Sequence, residues 1–179
     1  MKKIIAFGAS SSRKSINRKL ANHVANQLHG VNVKLLDLND FEMPIFSIDR
    51  EQENGIHELA HQFKQEIKNA DGIVISFAEH NSAYSAAFKN IYDWVSRIAP
   101  DVWEGKPMFL AATSPGSHGG KSVLELATNR FKRRNLNTIV TFSLPSFGKN
   151  FSAEGGILDE NLRAEFETQL KVFELSVSQ

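Results

Sequence analysis

A chain of 179 residues with 41% hydrophobic content suits one domain, 1–179, built round a single sizeable core. Its formal net charge of +1 gives no general attraction to nucleic acid or to an anionic membrane. There is no cysteine, which excludes disulfides, thiolate metal sites and cysteine nucleophiles, and no apolar run approaches the roughly 20 residues that span a bilayer. The opening lysines mimic a signal peptide, but the apolar stretch behind them, residues 4–7, is far shorter than the roughly 7–15 residues of such a segment. The expectation is a cytoplasmic protein.

Short apolar runs then alternate with helical patterns. KIIAFG (3–8) reads as a strand ending in glycine, followed by an amphipathic stretch over 15–28, and VNVKLLDL (31–38) reads as a second strand. Over 56–70 the spacing of Ile56, Leu59, Ala60, Phe63 and Ile67 predicts one helical face. GIVISFA (72–78) reads as a buried strand, and 83–98 has helical spacing with apolar residues on two sides. A strand at 107–113, a helix near 119–133, a strand at 138–144 and a helix near 159–176 complete the series. Five βα units imply an α/β domain, a doubly wound five-stranded parallel sheet with helices on both faces.

In such sheets ligands sit outside the carboxyl ends of the strands. The loops there read GASSSRKSIN (8–17), AEHNSAYS (78–85) and TSPGSHGG (113–120). The first lies one substitution from the nucleotide-binding pattern G-x-x-x-x-G-K-[ST], with Gly8, Lys14 and Ser15 in place and Arg13 where the second glycine belongs. Arginine adds bulk where the backbone must wrap most closely, and GIVISFAEH (72–80) does not supply the apolar strand ending in aspartate that such a site pairs with its metal. A monophosphate needs no such repair. Ser10, Ser11, Ser12, Ser15 and Asn17 offer donors, Arg13 a cation, and the helix start its free N–H groups. On these residues alone a plainer reading stays open, in which Ser15 caps the helix and Arg13 is solvated.

Together the three loops resemble the NADPH-dependent FMN reductase family, flavodoxin-like proteins that include quinone and azo-dye reductases. Gly8, Arg13, Ser15, Asn17, Leu20 and Ala21 match its first signature once one extra residue is allowed after Gly8. AEHNSAYSAAFKNIYDW (78–94) follows its second and SPGSHGG (114–120) its third. The resemblance implies bound FMN, NADPH or NADH as co-substrate, a small acceptor and a homodimer or homotetramer. It places the FMN phosphate on Arg13, Ser15 and Asn17, with Ser10 and Ile16 in the same loop, and Glu79, His80, Asn81 and Ser82 along the isoalloxazine ring. Ser114, Pro115, Gly116, Ser117, Gly119 and Gly120 would border the ring's pyrimidine end, where backbone N–H groups favour the charge of the reduced flavin. No side chain need act as acid or base, since the cofactor carries the chemistry. Ala78 and His80 replace the family's proline and tyrosine, and Ser85 and Ala86 stand where proline is common. A flavodoxin-type electron carrier and an FMN-binding redox sensor are the alternatives.

Two other motifs read as decoys. HELAH (57–61) matches a zinc-protease pattern, but the apolar stripe of its helix turns His57, Glu58 and His61 toward a solvated flank, and no third ligand follows. RFKRR (130–134) suits a helix C-terminus better than nucleic acid. Trp94 and Trp103 flank a stretch with apolar residues on two sides, of which one should pack on the sheet and the other is expected at a subunit contact, with core packing alone as the alternative.

Overall fold

The computed structural model describes residues 1–178. In chain order the elements begin with β1 (Lys2–Ala9), α1 (Ile16–Gln27), β2 (Val31–Leu35), a 3-10 turn (Leu38–Phe41), α2 (Ile48–Asn54) and α3 (Glu58–Asn69). There follow β3 (Gly72–Phe77), a hairpin of β4 (Glu79–His80) and β5 (Ala83–Tyr84), α4 (Ala86–Ile98), β6 (Met108–Thr113), α5 (Lys121–Lys132) and β7 (Ile139–Leu144). The chain closes with α6 (Phe147–Asn150), a hairpin of β8 (Phe151–Ser152) and β9 (Gly156–Ile157), and α7 (Glu160–Ser178).

Strands β2, β1, β3, β6 and β7 pair in that order, all parallel. Counted along the chain, this is the 2-1-3-4-5 order of a flavodoxin-like sheet. Of the three inner strands, β3 and β6 are buried throughout, as their apolar runs require of strands covered on both faces. Alternate side chains feed two cores. Phe7 meets Phe63 and Phe88 of α3 and α4 with centroids 5.5 and 6.4 Å apart, while Phe109 meets Phe166 and Phe173 of α7 at 5.9 and 6.0 Å.

The departures from the sequence reading have local causes. The second strand stops at Leu35 because Asp37 accepts from Asn39 N at 3.0 Å and starts the 3-10 turn. Helix α3 starts at Glu58 because His57 caps it, and α4 starts at Ala86 because Ala83 and Tyr84 pair with the strand before them. Helix α2 lies between Ser47, whose hydroxyl accepts from Arg50 N, and Gly55 at φ 74°, and it buries no residue.

The second apolar side of α4 is covered by the chain itself. Trp94 Nε1 donates to Pro44 O at 2.8 Å, and the Asn90 side chain bonds Met43 O at 3.0 Å and Phe46 N at 2.8 Å. Trp94 is therefore an intrachain anchor, contrary to the expected subunit contact. The ammonium of Lys64, 3% exposed, meets Glu104 at 2.9 Å and donates to Asp101 O and Val102 O at 2.9 and 2.8 Å, which fastens the loop beyond α4.

Candidate functional site

The three loops after β1, β3 and β6 meet at one end of the sheet. Gly8 lets the first of them form, because a Cβ there would lie 2.5 Å from Arg18 N and 2.7 Å from Arg18 Cα. Only a bare backbone allows α1 to rest on the end of β1. Ser15 Oγ accepts from Arg18 N at 3.2 Å and caps α1. The N–H groups of Ile16 and Asn17, ahead of that bond, have no acceptor among the described residues, and they carry the positive end of the helix dipole. Ser10 Oγ accepts from Ser12 N at 3.1 Å, while Arg13 and Lys14 are exposed. Arg13 forms no ion pair among the described residues.

Asn17 differs from what the resemblance implies. Its side chain is buried, and Oδ1 accepts from Ser76 Oγ at 2.7 Å and Thr113 N at 3.0 Å, while Nδ2 donates to Thr113 O at 3.1 Å. The amide ties α1 to β3 and β6, so its side chain is committed inward and only the Asn17 backbone N–H faces the loop's mouth.

The second loop is a tight hairpin in which Glu79 pairs with Tyr84 and His80 with Ala83. Asn81 and Ser82 take left-handed φ of 52° and 62°, the geometry of a two-residue type I′ turn. Serine rarely adopts it, so strain is held at the place where a ring would lie. Ser85 Oγ donates to Ala9 O at 2.8 Å and accepts from Phe88 N at 3.3 Å, which joins this loop to the first and caps α4. Proline at that position could do neither. Glu79 also differs from expectation, since Oε2 accepts from Val123 N at 2.9 Å. Its carboxylate lies on the first turn of α5, where the dipole favours it, and clamps the second loop to the third. His80 is exposed. Burial raises the phenol of Tyr84 far above its usual range, and its hydroxyl has no partner among the described residues, so it stays neutral within the hairpin.

In the third loop Gly119 and Gly120 have φ of 65° and 72°, and a Cβ on them would lie 2.5 Å from Ser143 Oγ and 2.9 Å from Ala112 Cβ. Ser114 O accepts from Phe147 N at 3.0 Å and Gly116 O from Ser146 N at 2.8 Å, so the loop is held by the turn after β7. Pro115, Gly116 and Ser117 remain exposed above it. The supporting groups Ser76, Ser143 and Ser146 escaped the sequence reading, and Ser85 and Thr113, inside loops that it singled out, were given no supporting role. Only Ser85 carried a usable signal, as a serine ahead of a helical pattern.

Residues of both decoy motifs have local partners in the fold. His57 Nδ1 accepts from Leu59 N at 3.2 Å and its ring lies 6.4 Å from that of Trp94, so it is a helix cap and not a residue of the solvated flank. Among the described residues no three metal-ligating side chains gather, and no helix is long and apolar enough to cross a membrane. Arg130, in the last turn of α5, lies 5.9 Å over the Tyr92 ring.

A parallel sheet of order 2-1-3-4-5 with these three loops at the carboxyl ends of its strands defines the flavodoxin-like class of fold. The chain belongs to the NADPH-dependent FMN reductase family, whose model matches residues 2–149. It is thereby an FMN-dependent NAD(P)H oxidoreductase. It is 31% identical over 134 residues to the NADPH:quinone oxidoreductase of Arabidopsis thaliana, a match that spans 73% of this chain and 67% of that one. It is 34% identical over 119 residues to a 2-hydroxy-1,4-benzoquinone reductase from a Burkholderia species, which spans 65% of this chain and 63% of that protein. These matches therefore span about two thirds of each relative. The flavoenzyme NAD(P)H:(acceptor) oxidoreductase FerB from Paracoccus denitrificans shares the fold, with a TM-score of 0.77 at 23% identity over 99% of this chain and 98% of that one.

Proposed function

We propose that the three loops hold FMN by its phosphate and ring, and that the protein passes electrons from NADPH or NADH to a small acceptor, a quinone, an azo compound or free flavin. When bound, FMN supplies the chemistry, taking two electrons from the nicotinamide and giving them to the acceptor. The chain's own work is placement. The carrying observation is the pair of free N–H groups on Ile16 and Asn17 beside Arg13, a cation without a carboxylate partner, because a dianionic phosphate satisfies both. Ser10 and the Ser15 hydroxyl proton lie in the same loop. The left-handed Asn81–Ser82 turn and the backbone of 114–120 would flank the ring, with Glu79 and Asn17 holding these loops in position.

A charge-assisted contact contributes about 1.5–3 kcal/mol. Arg13→Ala should therefore weaken FMN binding by roughly one to two powers of ten. Lys14→Ala should stay within a few-fold of the parent. Flavin fluorescence titration of the apo-protein, with ATP as competitor, checks this. Abolished binding in Lys14→Ala with tight competition by ATP would restore the P-loop reading. Steady-state NADPH oxidation separates an enzyme from an electron carrier or a redox sensor.

A homodimer belongs to the same proposal. With Trp94 turned inward, the supporting feature is Ile45, 76% exposed, beside exposed Ile48 on the segment pinned to α4. Light scattering should give twice the chain mass, and Ile45→Asp should shift it toward one. The parent remaining monomeric across a wide concentration range would remove this part of the reading. A cytoplasmic location goes with the reading, since the nicotinamide pool that feeds such an enzyme lies there.

A further inference from the structure

We propose that the cavity between α1 and the end of β2 receives the 2′-phosphoadenosine end of NADPH, and that Arg18 and Lys19 thereby select NADPH over NADH. This rests on the reading of the chain as an NAD(P)H oxidoreductase and says which nicotinamide it takes. The cavity measures about 280 Å³, and Arg13, Arg18, Lys19, Asn22 and Leu35 are among its lining residues. Three of these side chains are cations and none is a carboxylate. The other cavities have a different balance. The one between α5 and β7 sets Lys121 against Glu125 and Glu165, and the cleft beside the start of α4 holds Glu42 and no cation. In the cavity between β2 and α3, the carboxylate of Glu66 is part of the lining together with Lys3 and Lys34.

Arg18 is held ready for an anion. One guanidinium nitrogen, Nη1, bonds Asp37 Oδ2 at 2.6 Å, which fixes the planar fork and leaves most of its donors free. The Asp37 carboxyl sits below its usual range, chiefly because it accepts from Asn39 N and also because of Arg18, so this partner stays ionised at neutral pH. Leu35 is half exposed on an edge strand and offers apolar surface to a base, and the Asn22 amide can bond a base edge.

Position supports the assignment. Because β1 separates β2 from β3, the cavity flanks the phosphate loop on the side away from the hairpin and glycine turn. The span from β2 to β3 or β6 is two to three strand spacings, about 10–14 Å, which an extended dinucleotide can bridge. In the basic stretch 130–134, Arg130 is already engaged, since its guanidinium lies 5.9 Å over the Tyr92 ring.

The test uses the FMN-loaded protein, so that the phosphate loop is filled. Calorimetric titration should show adenosine 2′,5′-bisphosphate binding at least tenfold tighter than 5′-AMP. The double variant Arg18→Ala, Lys19→Ala should lose that difference, and kcat/KM for NADPH should fall at least tenfold while that for NADH stays within twofold. Lys19→Glu, which leaves the Arg18–Asp37 bridge in place, should move both readouts the same way. A parent that does not distinguish the two nucleotides, or variants that keep the preference, would overturn the assignment of the cavity alone. A parent that takes up no flavin or oxidises neither nicotinamide would overturn the reductase reading together with it.

Discussion

Asn17→Ala should cost about 2–5 kcal/mol of stability, a large part of what a domain of this size possesses. The substitution removes three buried hydrogen bonds at once and leaves the N–H of Thr113 and the hydroxyl of Ser76 without their acceptor. Each stranded group carries its own desolvation cost. Asn17→Asp should be no milder, since its second oxygen would face Thr113 O inside the sheet. The loss should be visible as a lower denaturation midpoint at unchanged m-value. Because the same amide positions the start of α1, flavin affinity should fall in any fraction that still folds. A variant with the parent's midpoint would show that Asn17 does not join the strands as described.

Gly8→Ala should be nearly as damaging, by about 3 kcal/mol, the upper range for forcing an extra carbon into a packed contact. The added methyl meets Arg18 N and Cα at 2.5 and 2.7 Å, and backbone of a helix cannot swing aside as a side chain can. Relief requires α1 to lift from the sheet, carrying Ser15 and the free N–H groups with it. Thermal melting should record the stability loss, and FMN titration should record weaker binding in the folded fraction. A glycine kept only for a phosphate's close approach would show the second effect without the first.

Much of this architecture was legible in the residues, and the reasons are physical. Strands β3 and β6 are short, mostly apolar runs rich in residues that favour strands, so 72–78 and 107–113 agree with them to within a residue. Helix α2 was not legible, because a helix that buries nothing leaves no apolar period to detect. The hairpin at 79–84 falls where the sequence reads as a loop, with its last two residues at the start of a helix. Its turn carries Asn81 and Ser82, where the usual signal would be asparagine followed by glycine.

At the site, residue type was easier to foresee than direction. Ser15 and Arg13 were expected in the first loop and stand there. Asn17 and Glu79 stand beside the first and in the second loop, but one faces the sheet and the other the first turn of α5. A motif records which donors and acceptors are near one another, and not which partner each one takes. The partners here, such as Ser76, Thr113 and Val123, are 44 to 96 residues away in sequence. Trp94 and Asn90 show the same limit, since the strap they hold at 43–46 has no periodicity that announces it.

Lys64 gives the protein a chemical clock. An acylating reagent or an acetylating enzyme needs an accessible, neutral amine, and this one is enclosed with Glu104 and two carbonyls. Modification must wait until the loop over 101–104 lets go, so its rate follows the free energy of that local opening, whereas exposed amines such as Lys14 react at once. Once acylated, the nitrogen cannot return as a cation to Glu104, and the loop that carries Trp103 stays undocked.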